Sequence, residues 1–183
     1  MEVGETLDVS TAAAWRAWLE RNHTVKREIW LVLHAKASGR DSIAYNDAVD
    51  EALCFGWIDS TAKKVDADRT AQRFTPRRAG SKTSEMNKAR ARRLVRERRM
   101  TPVGLAAIGT LRAPRLVLPA DIRAALERDE TAWRHFQRFP VAYRRIRVAF
   151  VEGARRRPAE FQRRLRNLVR RSAKNERFGM VRE

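Results

Sequence analysis

The stretch "FGWIDSTAKKVDADRTAQRFTPRR", residues 55–78, decides how the front of this chain folds. Residues 57–65 and 69–76 read as two strands, and "DAD" between them (66–68) is a turn of acidic, turn-favouring residues. Pro76 cannot donate to a sheet ladder and marks a strand end. One hairpin therefore carries Trp57, Asp59, Arg73, Arg77 and Arg78. Alternate strand residues share a face, so Trp57, Asp59 and Thr61 point one way and Ile58 and Ser60 the other. On the second strand Arg73 and Thr75 share a face, with Phe74 opposite. Two readings follow. The hairpin is a sheet edge with a solvated charged face, in which Asp59 and Arg73 form a structural ion pair. Or it is the wall of a site for something anionic, with Arg77 and Arg78, beyond the strand and hard to neutralise locally, best placed to meet a ligand.

Working outward, "REIWLVLHAK" (27–36) reads as a further strand with both faces largely buried. Residues 10–22 and 45–56 read as helices, the second capped by Asn46 or Asp47 and ended by Gly56. After Gly80 the texture turns helical, over 84–99 and then from Thr101-Pro102 onward. "RAPRLVLP" (112–119) is a linker, four short helices follow it, and the end, 173–183, reads as frayed. The expected class is α+β: a small antiparallel three-stranded sheet (about 28–35, 57–65 and 69–76) packed with helices, then a basic all-helical region. Residues 1–111 form the α+β domain with the hairpin and "RFTPRR", and 119–175 the basic helical region, packed on it as one globular unit.

Charge adds a second theme. The 183 residues are 43% hydrophobic and 34% charged, with a formal net charge of +18. Residues 1–83 hold 13 Lys and Arg against 12 Asp and Glu, whereas residues 84–183 hold 27 against 10, a net of +17. Clustered cations gain by displacing counterions from phosphates, so a polyanion such as DNA or RNA is the natural partner. The alternative is arginine-rich codon usage with the charge simply solvated. In the last helix Phe161, Leu165, Leu168 and Val169 form an apolar stripe, and Arg163, Arg166 and Arg170 a basic ridge opposite it. The ridge offers almost only arginine, so its binding is weakly sequence-selective. On the helix at 84–99, Asn87 and Arg90 lie beside Leu94 near the inward side, where polar groups need partners. They either extend the hairpin's anion-binding wall or, for Arg90, snorkel from the core edge.

Several chemistries lack their residues. Cys54 is the single cysteine, which allows no internal disulfide and points to a reducing, cytoplasmic compartment. The acidic N-terminus lacks the apolar core of a signal peptide, and no apolar run approaches the roughly 18 residues that span a bilayer, so an integral membrane protein is not expected. His23, His34 and His135 sit on separate elements, so neither a metal site nor a cofactor is expected. "GSKTS" (80–84) lacks the glycine spacing of a phosphate loop, and no Gly-x-Ser-x-Gly elbow occurs. No catalytic residues are assigned. Two functions stand: a non-catalytic cytoplasmic binder of anions or polyanions, or an enzyme or small-ligand binder whose arginine cluster holds a phosphorylated or carboxylate ligand.

The motifs "ALCFGWIDS" (52–60), "RFTPRR" (73–78), "NKARARRL" (87–94) and "RMTPVGLAA" (99–107) resemble the bacterial YdeI/OmpD-associated family, also labelled bacteriocin-protection proteins. "LPADIRAAL" (118–126) and "FPVAYRRIRVAFVEGARR" (139–156) extend the resemblance through most of the chain. It implies a small α+β protein linked to tolerance of bacteriocins or cationic antimicrobial peptides, and supplies no catalytic residues. Where such proteins place a Tyr shortly before "RFTPRR" this chain has Thr70, and where they carry Asn-Trp-Ser it has Lys82-Thr83-Ser84, so two aromatic contacts are missing. A chain of net +18 repels cationic peptides within the Debye length of about 8 Å, which argues against capturing them directly.

Overall fold

The computed structural model describes residues 2–113 and 115–179. Eight helices and four strands occur among them. Contacts divide the chain into two compact units: Met1–Thr83 with Arg90–Leu111, and Ser84–Ala89 with Arg112–Glu183.

The first unit is built on a mixed sheet of order β1-β2-β4-β3, formed by β1 (Thr6–Asp8), β2 (Ile29–His34), β3 (Trp57–Lys64) and β4 (Arg69–Pro76). This corrects the three-stranded antiparallel expectation, since β1 pairs with β2 in parallel. A parallel pair needs a crossover, and helix α1 (Ala12–Asn22) supplies it. Thr11 caps α1 by accepting the Ala14 N–H at 3.1 Å, and Trp15 and Leu19 put its apolar face in the core. In β2, Ile29, Trp30, Leu31 and Val32 are all buried, so both faces are covered as its composition implies. β4 lies between β2 and β3, antiparallel to each. One extra β3 residue is accommodated between Asp59 and Ala62, where the register shifts.

Helix α2 (Tyr45–Cys54) begins at Ala44 with no side-chain cap, so Asn46 and Asp47 lie inside its first turn rather than at its cap. Its end meets α4 (Pro102–Ile108) closely. Thr101 caps α4 by accepting the Gly104 N–H at 3.1 Å and donates its hydroxyl to the Cys54 carbonyl at 2.6 Å. A Cβ on Gly104 would lie 2.1 Å from that carbonyl oxygen, so only glycine fits. Gly56, at φ +74°, makes the turn into β3. "ALCFGW" and "TPVG" are thus two halves of one packing contact.

Helix α3 (Glu85–Arg96) gives Ala91 and Leu94 to the first core, while Val95 is 42% exposed. The second unit is helical: α5 (Ala120–Glu127), α6 (Glu130–Arg138), α7 (Val141–Glu152) and α8 (Pro158–Ala173). Its own core holds Ile122, Leu126, Phe136, Tyr143, Leu165 and Leu168 among others. The C-terminal segment expected to fray is tied down as far as it is described: the Phe178 N–H donates to the Tyr143 hydroxyl at 3.1 Å, and Arg171 pairs with Glu176. Residues 180–183 of that segment, and Pro114 of the linker, lie outside the described residues. No helix among the described residues is long and apolar enough to cross a membrane.

Candidate functional site

The register of β3 on β4 separates residues that the hairpin's sequence brings together. Trp57 is 1% exposed, donates its indole N–H to the His23 carbonyl at 3.2 Å and meets Trp18 edge to face. It is a core residue and lines no surface. Asp59 stands opposite Phe74, so its carboxylate and the Arg73 guanidinium are on opposite faces of the sheet, and the expected Asp59–Arg73 pair is not formed. Asp59 instead accepts the Tyr45 hydroxyl at 2.6 Å. Burial first, and then that carboxylate, push the Tyr45 phenol up to about 12, which keeps it a donor. Arg73 is held by Glu28, which accepts from Nε at 2.9 Å and also from Nη2. The bond from Arg73 holds the Glu28 carboxyl below its usual range.

Arg90 serves a different purpose from the expected wall. It is 4% exposed and donates to Asp50 at 2.8 Å and to the Asn46 side chain. Asp50, 1% exposed, also receives Arg93. Glu97 bridges Arg93 at 3.0 Å and Arg99 at 2.9 Å. Glu51, almost as buried as Asp50, receives Arg99 at 2.7 Å and Arg16 at 2.9 Å, and Glu20 closes the chain on Arg16 at 3.3 Å. Four arginines meet four carboxylates, so the network has no net charge. Nothing in the sequence marks Asp50 and Glu51 as buried; their helix reads the same with a solvated acidic edge. Asn87 belongs to the second unit, half-buried in the first turn of α3, where its backbone N–H donates to the Ser84 hydroxyl at 3.2 Å.

Arg77 and Arg78 are placed differently from one another. Arg78 is exposed. Arg77 is half-buried, and its Nη2 donates to the Thr83 hydroxyl at 2.9 Å and the Ser81 hydroxyl at 3.3 Å. Thr83 stands where the resemblance leads one to expect Trp, and it hands its own proton to the Ile108 carbonyl at 3.3 Å. The Arg77 Nε is buried without a partner, and burial pushes its guanidinium pKa down. Among the described residues no carboxylate pairs with Arg77. Together with Arg27, Arg73 and Lys82, Arg77 and Arg78 line an open pocket of about 540 Å³.

The second unit has a larger groove, of about 750 Å³. The ridge residues Arg163, Arg166 and Arg170 all line it, joined by Arg147 and Arg164. Among the described residues no carboxylate lines it. Glu160 reaches two of the five from one side, accepting from Arg163 at 2.7 Å and Arg164 at 2.6 Å, and these bonds hold its carboxyl at about 2. Arg164 also stacks on Phe150, 3.9 Å from the ring centroid, and donates to the Phe150 carbonyl at 2.7 Å. Arg170 donates to Asn167 at 3.0 Å.

Arg147 is the residue the sequence reading missed. It is 3% exposed and lies over the rings of Tyr143, Phe150 and Phe178 at 5.6, 5.6 and 5.0 Å. Its Nε is buried without a hydrogen-bond partner, and burial pushes its pKa down. No carboxylate pairs with it among the described residues. The signal was present: Tyr143, Arg147 and Val151 are spaced four apart, which sets an arginine in the middle of an apolar stripe.

Comparison with known families assigns the two parts separately. Residues 7–107 match the model of a domain of unknown function, DUF8412. Residues 115–175 match the model described as Bacteriocin-protection, YdeI or OmpD-Associated. The motifs around the hairpin and α4 fall in the first match and those of α5 and α7 in the second. No curated protein and no solved structure matches the chain.

Proposed function

We propose that this chain, which belongs to the DUF8412 family through its front part and to the YdeI/OmpD-associated family through its helical part, is a non-catalytic cytoplasmic protein that binds polyanions, nucleic acid backbones among them. The observation that carries the reading is the groove of the second unit: five arginines line it and, among the described residues, no carboxylate does. Two of those arginines pack on Phe150, so they are held in place before any ligand arrives. From Arg163 to Arg170 the ridge rises about 10 Å along α8, a length over which one nucleic acid strand presents about three phosphates. The rings beneath the arginines are occupied by guanidinium groups, so recognition rests on charge rather than on bases. A role in peptide tolerance fits this reading if the protein covers anionic targets, since capture of cationic peptides meets the repulsion of +18 charges.

The test is fluorescence anisotropy on mixed-sequence oligonucleotides across a salt series. We expect micromolar binding at low salt, little dependence on sequence, and a log K against log salt slope of about −3. Arg166→Glu with Arg170→Glu should weaken binding across all sequences while the folded state persists, because both side chains are exposed. Absence of binding at low salt, or binding unchanged by the double reversal, overturns the proposal.

A further inference from the structure

The pocket beside the hairpin is built from residues of the first unit, and its chemistry differs from that of the groove. It gathers Arg27, Arg73, Arg77, Arg78 and Lys82, against which the described residues set one carboxylate, that of Glu28 on Arg73. Elsewhere in the same unit four arginines are matched by four carboxylates, so an unbalanced cluster here is a local property and not a consequence of composition. From these residues we infer that the pocket binds a phosphomonoester carried on a polar, non-aromatic body, such as a sugar phosphate.

Three observations define that ligand. The first is charge. A phosphomonoester carries about −1.5 to −2 near pH 7 and offers three acceptor oxygens, whereas a simple carboxylate carries one charge. A surplus of about four cations suits the former. The second is preorganisation. Glu28 fixes Arg73 through two bonds, and the loop after β4 folds around Arg77 through the hydroxyls of Ser81 and Thr83. Hydroxyls orient the Arg77 guanidinium without neutralising it. An arginine held by neutral groups, with its Nε buried and unpartnered, keeps its full charge for an incoming anion. The third is the rest of the lining. Ser60, Thr75 and Ser81 supply hydroxyls, and no aromatic ring lines the pocket, so a nucleobase would find no platform to stack on. At about 540 Å³ the pocket exceeds a lone phosphate and falls within the usual range for small-molecule sites.

The test uses the full chain and isothermal titration with four probes: a hexose 6-phosphate, the unphosphorylated hexose, inorganic phosphate and adenosine monophosphate. We expect the hexose phosphate to bind saturably with a Kd below about 1 mM, more tightly than the other three. Arg78→Ala should weaken it about tenfold. The Arg78 side chain is exposed, so a normal circular dichroism spectrum and melt will separate lost binding from lost fold. Arg77→Lys keeps the charge and removes the fork, and should weaken binding as well. No binding of the hexose phosphate overturns the inference. So does binding that Arg78→Ala and Arg77→Lys both leave unchanged, which would put the phosphate elsewhere on the basic surface. Equal affinity for inorganic phosphate overturns the polar body, and tighter binding of adenosine monophosphate overturns its non-aromatic character.

Discussion

Two arginines, each buried to within a few per cent, are treated in opposite ways by the two units. In the first, Arg90 lies against Asp50 in a network of four cations and four anions. In the second, Arg147 lies among three rings with no carboxylate partner among the described residues. Burying a charge is costly in either case, but among the described residues only Arg90 meets a compensating carboxylate. The contrast separates cations used to build from cations kept in reserve, a distinction that a net charge of +18 does not make.

The strongest way to break this comparison is to remove the centre of the network. Asp50→Ala strands Arg90 and Arg93, and should cost about 3–5 kcal/mol of stability by urea unfolding. A loss below about 1 kcal/mol would mean that water or repacking replaces the pair, and that the network is no scaffold. The opposite sign is expected at the other buried arginine. Arg147→Met keeps the length of the side chain and removes a buried charge that no described carboxylate pairs, so it should raise stability by about 1 kcal/mol while weakening oligonucleotide binding. If it lowers stability instead, stacking on Tyr143, Phe150 and Phe178 outweighs the buried charge and Arg147 is structural.

The smallest effect belongs to the rim of the groove. Glu160→Gln frees Arg163 and Arg164, and should move the melting temperature by less than about 1 °C at pH 7 while tightening oligonucleotide binding about twofold. Its pH dependence sharpens the point. The Glu160 carboxyl falls from 4.5 to about 2 on folding, so what it contributes is present above pH 4.5 and is lost as pH falls toward 2. The variant should therefore lose less stability than the parent across that acid window, as melts at stepped pH will show.

Much of the architecture was legible in the sequence because each helix carries its own signal. α8 announces itself by Phe161, Leu165 and Leu168, and α4 by Thr101-Pro102. β1 was not legible. It is three residues long, largely exposed, and pairs with a strand more than twenty residues away, so neither alternation nor a turn marks it. At the candidate sites the ridge could be read because Arg163, Arg166 and Arg170 share a helical face. The partners could not. Alternation says which residues of a strand share a face, but the stagger that sets Asp59 against Phe74 comes from the β3–β4 ladder. Glu28, which takes Arg73 in place of Asp59, lies just before β2, 45 residues away.

The two outer strands of the sheet have a consequence for how the molecule keeps to itself. One border, β1, is only three residues long; the other, β3, is kinked by its extra residue and carries Lys63 and Lys64 near its end. A foreign chain seeking to extend the sheet would need a flat, uncharged row of unpaired amides to copy, and neither border offers one of useful length. The protein's hydrophobic strand, β2, lies between β1 and β4, with β1 covering its Trp30–Val32 stretch. The borders of the sheet thus carry the features that disfavour amyloid-like stacking, and a strand as apolar as "IWLVL" is kept from the edge where it would act as a template.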